Sequence, residues 1–262
     1  MNRLSFDGPV WLASDIHLGA NNPKTAQSFF GFLDRASAQA GALLLLGDIF
    51  DVWIGDDWLT KPAPWLSECV DRLRHTSQKC PLWIGRGNRD FLMGEPLARS
   101  LGANLLADQF ILSVAGHEYF TTHGDEFCTN DRAYQRFRRA VRNRWIQKAF
   151  LSLSLKTRAN IAQKARHQSM KSQQLDTDAR LDVCEQAIAK TLQAQDLQTI
   201  IHGHTHRPGH YHHQVDHQVF ERWVLPDWES DHLATEQAER GGWLVLDQTS
   251  IALFDKSGQK IK

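Results

Sequence analysis

The sequence predicts an α/β fold, because short apolar segments alternate with amphipathic helical patterns along its 262 residues. Apolar runs at 9–13, 42–46 and 81–84 have the length of β-strands. Between them, apolar residues recur at three- and four-residue steps over 25–40 and 65–74, a spacing typical of amphipathic helices. This alternation of strands and helices favours βαβ units and a parallel arrangement of the first strands.

The pattern changes after Ala103, where predicted strands follow one another more closely. Further strands are predicted at 109–114, 118–122, 199–201 and 243–246. A hairpin is predicted at 114–118, around Ala115 and Gly116. Since a hairpin joins antiparallel strands and βαβ units join parallel ones, we expect the sheet structure to be mixed.

The composition indicates a soluble globular protein, with 42% hydrophobic and 23% charged residues. The longest apolar run, 42–46, is far shorter than the roughly 18 to 20 residues that cross a bilayer. The N-terminus also lacks a basic patch followed by an apolar signal core. The four cysteines are widely spaced without a C-x-x-C pair, which favours packing roles over disulfides or a thiolate zinc site. We therefore expect a cytoplasmic protein.

The segment 131–195 shows no strand pattern, and we interpret it as a helical insertion between two core segments, 1–130 and 196–262. Residues 132–175 contain twelve Lys or Arg and no Asp or Glu, so the rest of the chain carries eighteen basic and thirty acidic residues. Apolar residues alternate with these basic residues at helical spacing. The segment is either a set of solvated amphipathic helices or a surface that faces something anionic.

Polar residues able to bind metal follow five of the predicted strands. They form the groups Asp15-Ile16-His17, Gly47-Asp48-Ile49-Phe50-Asp51, Gly87-Asn88-Arg89-Asp90, His123-Gly124-Asp125 and Gly203-His204-Thr205-His206. Open α/β sheets bind ligands beyond the carboxyl ends of their strands. In D-x-H and H-x-H, the one-residue gap directs two side chains to the same side of an extended chain. Five such groups in succession predict one shared metal centre.

The predicted ligands are carboxylate, carboxamide and imidazole groups without thiolate. This set suits Mn, Fe or Zn better than a soft metal or an iron–sulfur cluster. Asp48 is the expected bridge, because a carboxylate has two oxygen atoms to share between two ions. Paired ions in phosphoryl-transfer sites lie about 3.5 to 4 Å apart.

These motifs resemble those of the calcineurin-like dinuclear metallophosphoesterases, whose pattern is D-x-H, G-D-x-x-D, G-N-H-[DE], a later His and G-H-x-H. The resemblance extends from about residue 9 to residue 208. It implies a sandwich of two mixed β-sheets flanked by helices. It also implies one metal ion on Asp15, His17, Asp48 and His206, and a second on Asp48, Asn88, His123 and His204. Asn88, Arg89 and His204 would be the catalytic residues.

Arg89 departs from the general pattern, which has a histidine at this position. A guanidinium stays charged and cannot act as a proton donor, so Arg89 is expected to clamp phosphate oxygens. This departure and the sequences W-I-G-D-D at 53–57 and H-G-H-T-H-R-P at 202–208 resemble one subfamily. Its members are diphosphatases that act on UDP-2,3-diacylglucosamine in the lipid A biosynthesis of Gram-negative bacteria.

The resemblance to this subfamily implies hydrolysis of the pyrophosphate to UMP and 2,3-diacylglucosamine 1-phosphate. It also implies two divalent ions, normally Mn²⁺, and a location at the anionic cytoplasmic surface of the inner membrane. The insertion 131–195 would form a lid over the acyl chains. The implied substrate contacts are Asn88, Arg89, Asp131, Tyr134, Arg166, Ser169 and His204.

Two other functions remain open from the residues alone. The first is another dinuclear metallophosphoesterase that acts on a soluble nucleotide or phosphodiester and needs no apolar chamber. The second is a nucleic-acid-binding protein that uses the basic segment to neutralise phosphates. We do not expect a nucleic-acid partner, because the segment lacks a recognised reading motif and its aromatic residues have helical core spacing.

Overall fold

The computed structural model describes residues 1–175, 182–233 and 238–261, with backbone alone over 167–175. The strands are β1 (Asn2–Phe6), β2 (Val10–Ala13), β3 (Ala42–Leu45), β4 (Leu82–Ile84), β5 (Asn104–Leu105), β6 (Gln109–Val114), β7 (His117–Thr122), β8 (Thr199–His202), β9 (Gly209–Val215), β10 (Gln218–Val224), β11 (Gly242–Leu246) and β12 (Ile251–Asp255). They form two six-stranded sheets, ordered β1-β6-β7-β8-β10-β9 and β12-β11-β2-β3-β4-β5. Each sheet contains parallel and antiparallel pairs, so the prediction of mixed sheets is confirmed.

Helices cover both outer faces of the two sheets. They are α1 (Pro23–Gln39), α2 (Pro64–Ser77), α3 (Glu95–Leu101), α4 (Arg132–Val141), α5 (Arg144–Leu151), α6 (Leu155–Leu175) and α7 (Glu185–Ala194), with 3₁₀ turns at Asp56–Thr60 and Asp125–Phe127. Helices α1, α2 and α3 pack on the β2-β3-β4 sheet, and α7 packs on the β7-β8 sheet. None of the helices in the described ranges has the length and apolar character needed to cross a bilayer.

The core has three layers of apolar contact because the central strands are buried on both faces. In β2, Leu12 faces the other sheet, while Trp11 and Ala13 face the helices. Burial of both faces explains why β2, β3 and β4 read as continuous apolar runs rather than as alternating patterns. Cys69 and Cys80 lie in the helix-facing layer, where burial raises the pKa of the Cys69 thiol to about 12.

The predicted hairpin between β6 and β7 is confirmed. The pairing closes at Val114 and His117, and both central residues, Ala115 and Gly116, have positive φ angles of 49° and 84°. Two successive positive φ angles define the type I′ geometry, which matches the twist of the flanking strands. The strands β1, β5, β9, β10 and β12 were not predicted. Of these, β1, β5, β9 and β12 are sheet edges, and β1 and β9 contain several exposed polar residues.

The described part of 132–195 contains helices α4 to α7 joined by short turns and no strand, and α4 and α5 contain no buried residue. The start of α6 is anchored on the core by Arg158, whose side chain is 1% exposed. Its guanidinium pairs with the Asp57 carboxylate and donates to the carbonyl of Ile54. This buried arginine connects the basic segment to the loop that follows β3.

Candidate metal centre

The five polar motifs converge at one end of the sandwich because each follows the carboxyl end of a strand. Strands β2, β3 and β4 of one sheet and β7 and β8 of the other lead into them. Beyond β2 and β3 the chains stay paired, since the N–H of Asp15 donates to Gly47 O (3.1 Å) and that of His17 to Asp48 O (2.9 Å). The two sheets meet where the N–H of His204 donates to Asp15 Oδ2 at 2.9 Å.

The first predicted ligand set brings Asp15, His17 and His206 together. The Nε2 atoms of His17 and His206 are 3.5 Å apart, and His206 Nε2 lies 3.5 Å from Asp15 Oδ1. Asp48 Oδ2 lies 3.9 Å from His17 Nδ1. Potential ligand atoms of Asp15, His17 and His206 all lie within 4.8 Å of one another. This spacing allows these residues to bind one ion.

The second predicted set surrounds the side-chain oxygen of Asn88. Asn88 Oδ1 lies 2.9 Å from His204 Nδ1 and 3.2 Å from His123 Nε2. His123 Nε2 is also 3.8 Å from Asp48 Oδ1. The two oxygens of Asp48 therefore face different sets, Oδ2 toward His17 and Oδ1 toward His123. This arrangement is what a bridging carboxylate requires.

Backbone strain is concentrated at this centre. Eight non-glycine residues in the described chain have positive φ angles, and five of them are predicted ligands. Those five are Asp15, His17, Asp48, His204 and His206, with φ between 50° and 66°. Residues with a Cβ adopt this region at a cost of about 1–3 kcal/mol each, and such strain clusters at functional sites.

Two glycines admit the close approach of the ligand loops. A Cβ on Gly87 would overlap the Asp48 carboxylate, and one on Gly203 would overlap Ser14 and the Asp15 carboxylate.

We expect a Gly87→Ala variant to bind the metals more weakly and to lose activity, because the Asp48 carboxylate must move. Metal analysis of the purified protein measures the effect. Gly31→Ala on α1 is the matched control, since a Cβ there meets nothing within 4 Å and metal content should be unchanged.

Asp90 holds the loop that carries Asp48, a role that the sequence motifs did not reveal. Its buried carboxylate accepts hydrogen bonds from four backbone N–H groups, those of Asp48 (3.2 Å), Ile49 (2.7 Å), Phe50 (3.3 Å) and Gly87 (2.7 Å). Asp90 thus fixes the relative positions of the loops after β3 and β4.

Two histidines are oriented through their second ring nitrogen. His123 Nδ1 donates to the carbonyl of Leu46 at 3.2 Å, which leaves Nε2 facing the centre. His206 Nδ1 lies 3.3 Å from the carboxylate of Asp227, which is held in turn by Arg240 at 3.0 Å. Partners of this kind fix the tautomer of a ligand histidine and raise its basicity. Asp227 lies outside the five motifs, and no local pattern marks it as a partner of His206.

Burial and neighbouring charges shift the pKa values of several predicted ligands. Burial raises the pKa of Asp48 to about 7, because a charged carboxylate is costly away from water. Burial lowers the pKa of His204 to about 3 and holds that of His17 well below its usual value, which favours the neutral imidazoles that bind metal. Nearby carboxylates instead raise the pKa of His123 and His206 despite burial, so these two must lose a proton when a metal binds. His17 Nδ1 is buried and has no hydrogen-bond partner among the described residues.

Arg89 lies beside the metal ligands. Its backbone N–H donates to Asp48 Oδ1 at 2.8 Å, and its side-chain Nη1 donates to Asp51 Oδ1 at 3.2 Å. Arg166, from α6, pairs with the other oxygen of Asp51. Asp51 therefore holds two guanidinium groups side by side, one from the core and one from the basic segment.

The remaining predicted substrate contacts lie around α4 and α6. The Tyr134 ring stacks on His204 with centroids 6.0 Å apart, and its hydroxyl donates to Asp125 Oδ2 at 2.6 Å. Asp131 caps α4 by accepting from the N–H of Tyr134 at 2.8 Å. Asp125 also accepts from Arg138 at 2.7 Å, so it ties α4 to the loop after β7. The side chain of Ser169 lies outside the described residues.

The fold and the five-loop centre are those of a metallophosphoesterase. Residues 8–208 match the family model described as Calcineurin-like phosphoesterase, and the chain belongs to this family of metal-dependent hydrolases. The chain is 45% identical over 255 residues to a protein of Bordetella parapertussis named UDP-2,3-diacylglucosamine hydrolase, covering 97% of this chain and 98% of that one. Proteins of the same name from Chromobacterium violaceum and Neisseria meningitidis are 39% and 38% identical, over 92% and 89% of this chain and 96% and 95% of theirs.

Proposed function

We propose that this enzyme hydrolyses the pyrophosphate bond of UDP-2,3-diacylglucosamine to give UMP and 2,3-diacylglucosamine 1-phosphate, a step of lipid A biosynthesis. The observation that carries the proposal is the junction of the ligand cluster with a basic, apolar helical surface, where Arg166 of α6 meets Arg89 on Asp51. The substrate is inferred from the name that the relatives share, and the helical surface is suited to the phosphates and acyl chains of that substrate.

Two divalent ions, which we propose to be Mn²⁺, would be held by the two ligand sets. One would lie on Asp15, His17, Asp48 and His206, and the other on Asp48, Asn88, His123 and His204. Such ions lower the pKa of a bound water and neutralise charge that develops on phosphoryl oxygens. The protein's own contribution is to hold the imidazoles and carboxylates in fixed positions, through Asp90, Asp227 and the carbonyl of Leu46.

Arg89 and Arg166 would bind the two phosphates of the substrate. A guanidinium offers several N–H donors in a planar fork that matches phosphate oxygens. Both side chains are already ordered by Asp51, so less conformational freedom is lost when the substrate binds. Asn88, His204 and Tyr134 lie within the same cluster of contacts and complete the proposed polar part of the substrate site.

Within the segment 131–195, helices α4, α5 and α6 would form the lid that binds the acyl chains, whereas α7 packs on the β7-β8 sheet. The lid helices expose large apolar side chains, including Phe137 (46%), Ile146 (48%) and Trp145 (76%). These side chains are exposed in the chain alone, and the acyl chains of the substrate would cover them. Each buried CH₂ contributes roughly 0.8 kcal/mol, so eight methylenes would contribute about 6 kcal/mol before ordering costs.

The same surface supports a peripheral position at the cytoplasmic side of the inner membrane. Arg136, Arg139 and Arg144 lie among these apolar side chains and are exposed. Each basic residue near an anionic bilayer contributes about 1 kcal/mol to attraction. Interleaved cations and apolar side chains suit a lipid surface, which can cover both. A bound nucleic acid would neutralise the cations but leave the apolar side chains exposed to water.

The proposal is tested by release of UMP from UDP-2,3-diacylglucosamine with a defined metal, in comparison with UDP-glucose and ATP. We expect hydrolysis of the lipid substrate that depends on Mn²⁺ and is abolished by a chelator. Faster hydrolysis of a soluble nucleotide would favour the alternative, a metallophosphoesterase of the same chemistry without a lipid substrate.

Hydrolysis in oxygen-18 water should place the label in UMP. Ser14 donates to Asp15 Oδ2 at 2.5 Å, but its side chain is fully buried and its partner is a predicted metal ligand rather than a free base, so water is the expected nucleophile. Mass spectrometry of both products measures the label. Label in the sugar phosphate, or a phosphorylated protein trapped by acid quench, would contradict this prediction.

A further inference from the structure

We propose that the β9–β10 hairpin carries a separate zinc site made by His210, His212 and Glu221. These residues lie outside the ligand sets described above. Potential ligand atoms of all three lie within 4.8 Å of one another. Two imidazoles and one carboxylate are a ligand set that zinc uses in proteins.

The strand geometry explains why the three side chains share a face. His210 and His212 are two residues apart on β9, so they point to the same side of the strand. Glu221 of β10 lies directly opposite His212 in the antiparallel register. Cross-strand neighbours of this kind have Cβ atoms about 4.5–5.5 Å apart, which places the carboxylate diagonally across from His210.

The observed distances match those between two ligands of one tetrahedral ion. His210 Nε2 lies 3.1 Å from Glu221 Oε2. With zinc–ligand distances of about 2.0–2.1 Å, two ligand atoms in tetrahedral coordination are roughly 3.3 Å apart. The ring centroids of His210 and His212 are 4.4 Å apart. His210 and Glu221 therefore already have the separation of two zinc ligands, and His212 lies within reach of the same ion.

One of the imidazoles is held in place before any ion binds. The His210 ring stacks on Trp223, with centroids 3.9 Å apart and planes 10° apart. Glu221 contacts the same ring at Nε2. Ligands with restricted freedom lose less entropy on binding. The three side chains are partly exposed, so an ion can enter from solvent, and water can complete its coordination.

Zinc at this site would cross-link the edge strand β9 to its neighbour β10. Strand β9 is the last strand of its sheet and pairs only with β10 in the described chain. A metal bridge between the two strands should slow the opening of their hydrogen bonds. His210 and His212, which lie outside the catalytic motifs, would then stabilise the edge of the sheet.

The test is a count of bound zinc on the enzyme already loaded with Mn²⁺. Zinc chloride is added, weakly bound metal is removed, and both metals are counted by mass spectrometry. The wild type should retain one more zinc per chain than the His210→Gln/His212→Gln double variant, whatever exchange occurs at the manganese ligands. Glu221→Gln, which keeps the side-chain size, should lose the same equivalent. His217→Gln, in the exposed turn of the hairpin, is the matched control and should behave as wild type.

Hydrogen exchange provides the second readout. Zinc should slow amide exchange in β9 and β10 of the wild type and of His217→Gln, and not of the double variant. Equal zinc counts in wild type and double variant, or exchange rates that zinc leaves unchanged in the wild type, would overturn the proposal. In that case His210 and Glu221 form only a cross-strand ion pair.

Discussion

An Asp48→Ala variant is expected to lose detectable turnover and to retain less than one tightly bound metal ion per chain. Asp48 Oδ2 faces His17 and Asp48 Oδ1 faces His123, so both ligand sets lose a member when the carboxylate is removed. The negative charge that would offset the mutual repulsion of the two cations is also lost. Activity with added Mn²⁺ and metal content by mass spectrometry are the measurements.

The matched control for this variant is Asp71→Ala on α2, whose side chain is 68% exposed and pairs only with Arg74 among the described residues. It should retain full activity and normal metal content. An Asp48→Ala enzyme with full activity, or with two ions still tightly bound, would rule out the bridging role of Asp48.

Arg89→Lys is expected to reduce activity by about 10²-fold or more while metal content stays normal. The change keeps a positive charge near Asp48 and Asp51 but removes the planar fork of donors. Loss of one preorganised donor to developing charge typically costs about 10²–10³ in kcat. Steady-state kinetics on the lipid substrate measure the loss.

Arg99→Lys, an exposed position on α3, is the matched control and should leave the rate unchanged. Arg89→His distinguishes the clamp from an alternative in which this position donates a proton to the leaving group. A fully active Arg89→His enzyme would contradict the clamp and favour a proton donor.

Much of the fold could be predicted because the central strands are buried on both faces. The continuous apolar runs at 42–46 and 81–84 are short and are followed by Gly47 and Gly85, which favours buried strands over helices. Edge strand β9, with the sequence Gly-His-Tyr-His-His-Gln-Val, could not be predicted, because half of its residues face solvent. Its pairing with β10 is decided by tertiary contacts rather than by local hydrophobicity.

The candidate site could also be predicted only in part. The ligands could be predicted because each follows a strand end in a short motif, and strand ends converge in such sheets. Their supports could not, since Asp227 reaches His206 from the loop after β10 and nothing in its local sequence marks it. Nor does the sequence show which of the many arginines of the insertion is buried. Arg158 is buried because its guanidinium pairs with Asp57 and donates to the carbonyl of Ile54.

Selectivity for a substrate with two acyl chains is what distinguishes the proposed enzyme from other metallophosphoesterases. It is tested most directly by comparing kcat/KM for UDP-2,3-diacylglucosamine, for a homologue with shortened chains and for deacylated UDP-glucosamine, with the same metal and with detergent held constant. We predict that shortening both chains raises KM strongly and that the deacylated compound is hydrolysed far more slowly. Equal kcat/KM for the acylated and the deacylated compounds would contradict the lipid assignment, while the metal-dependent phosphoesterase chemistry would stand.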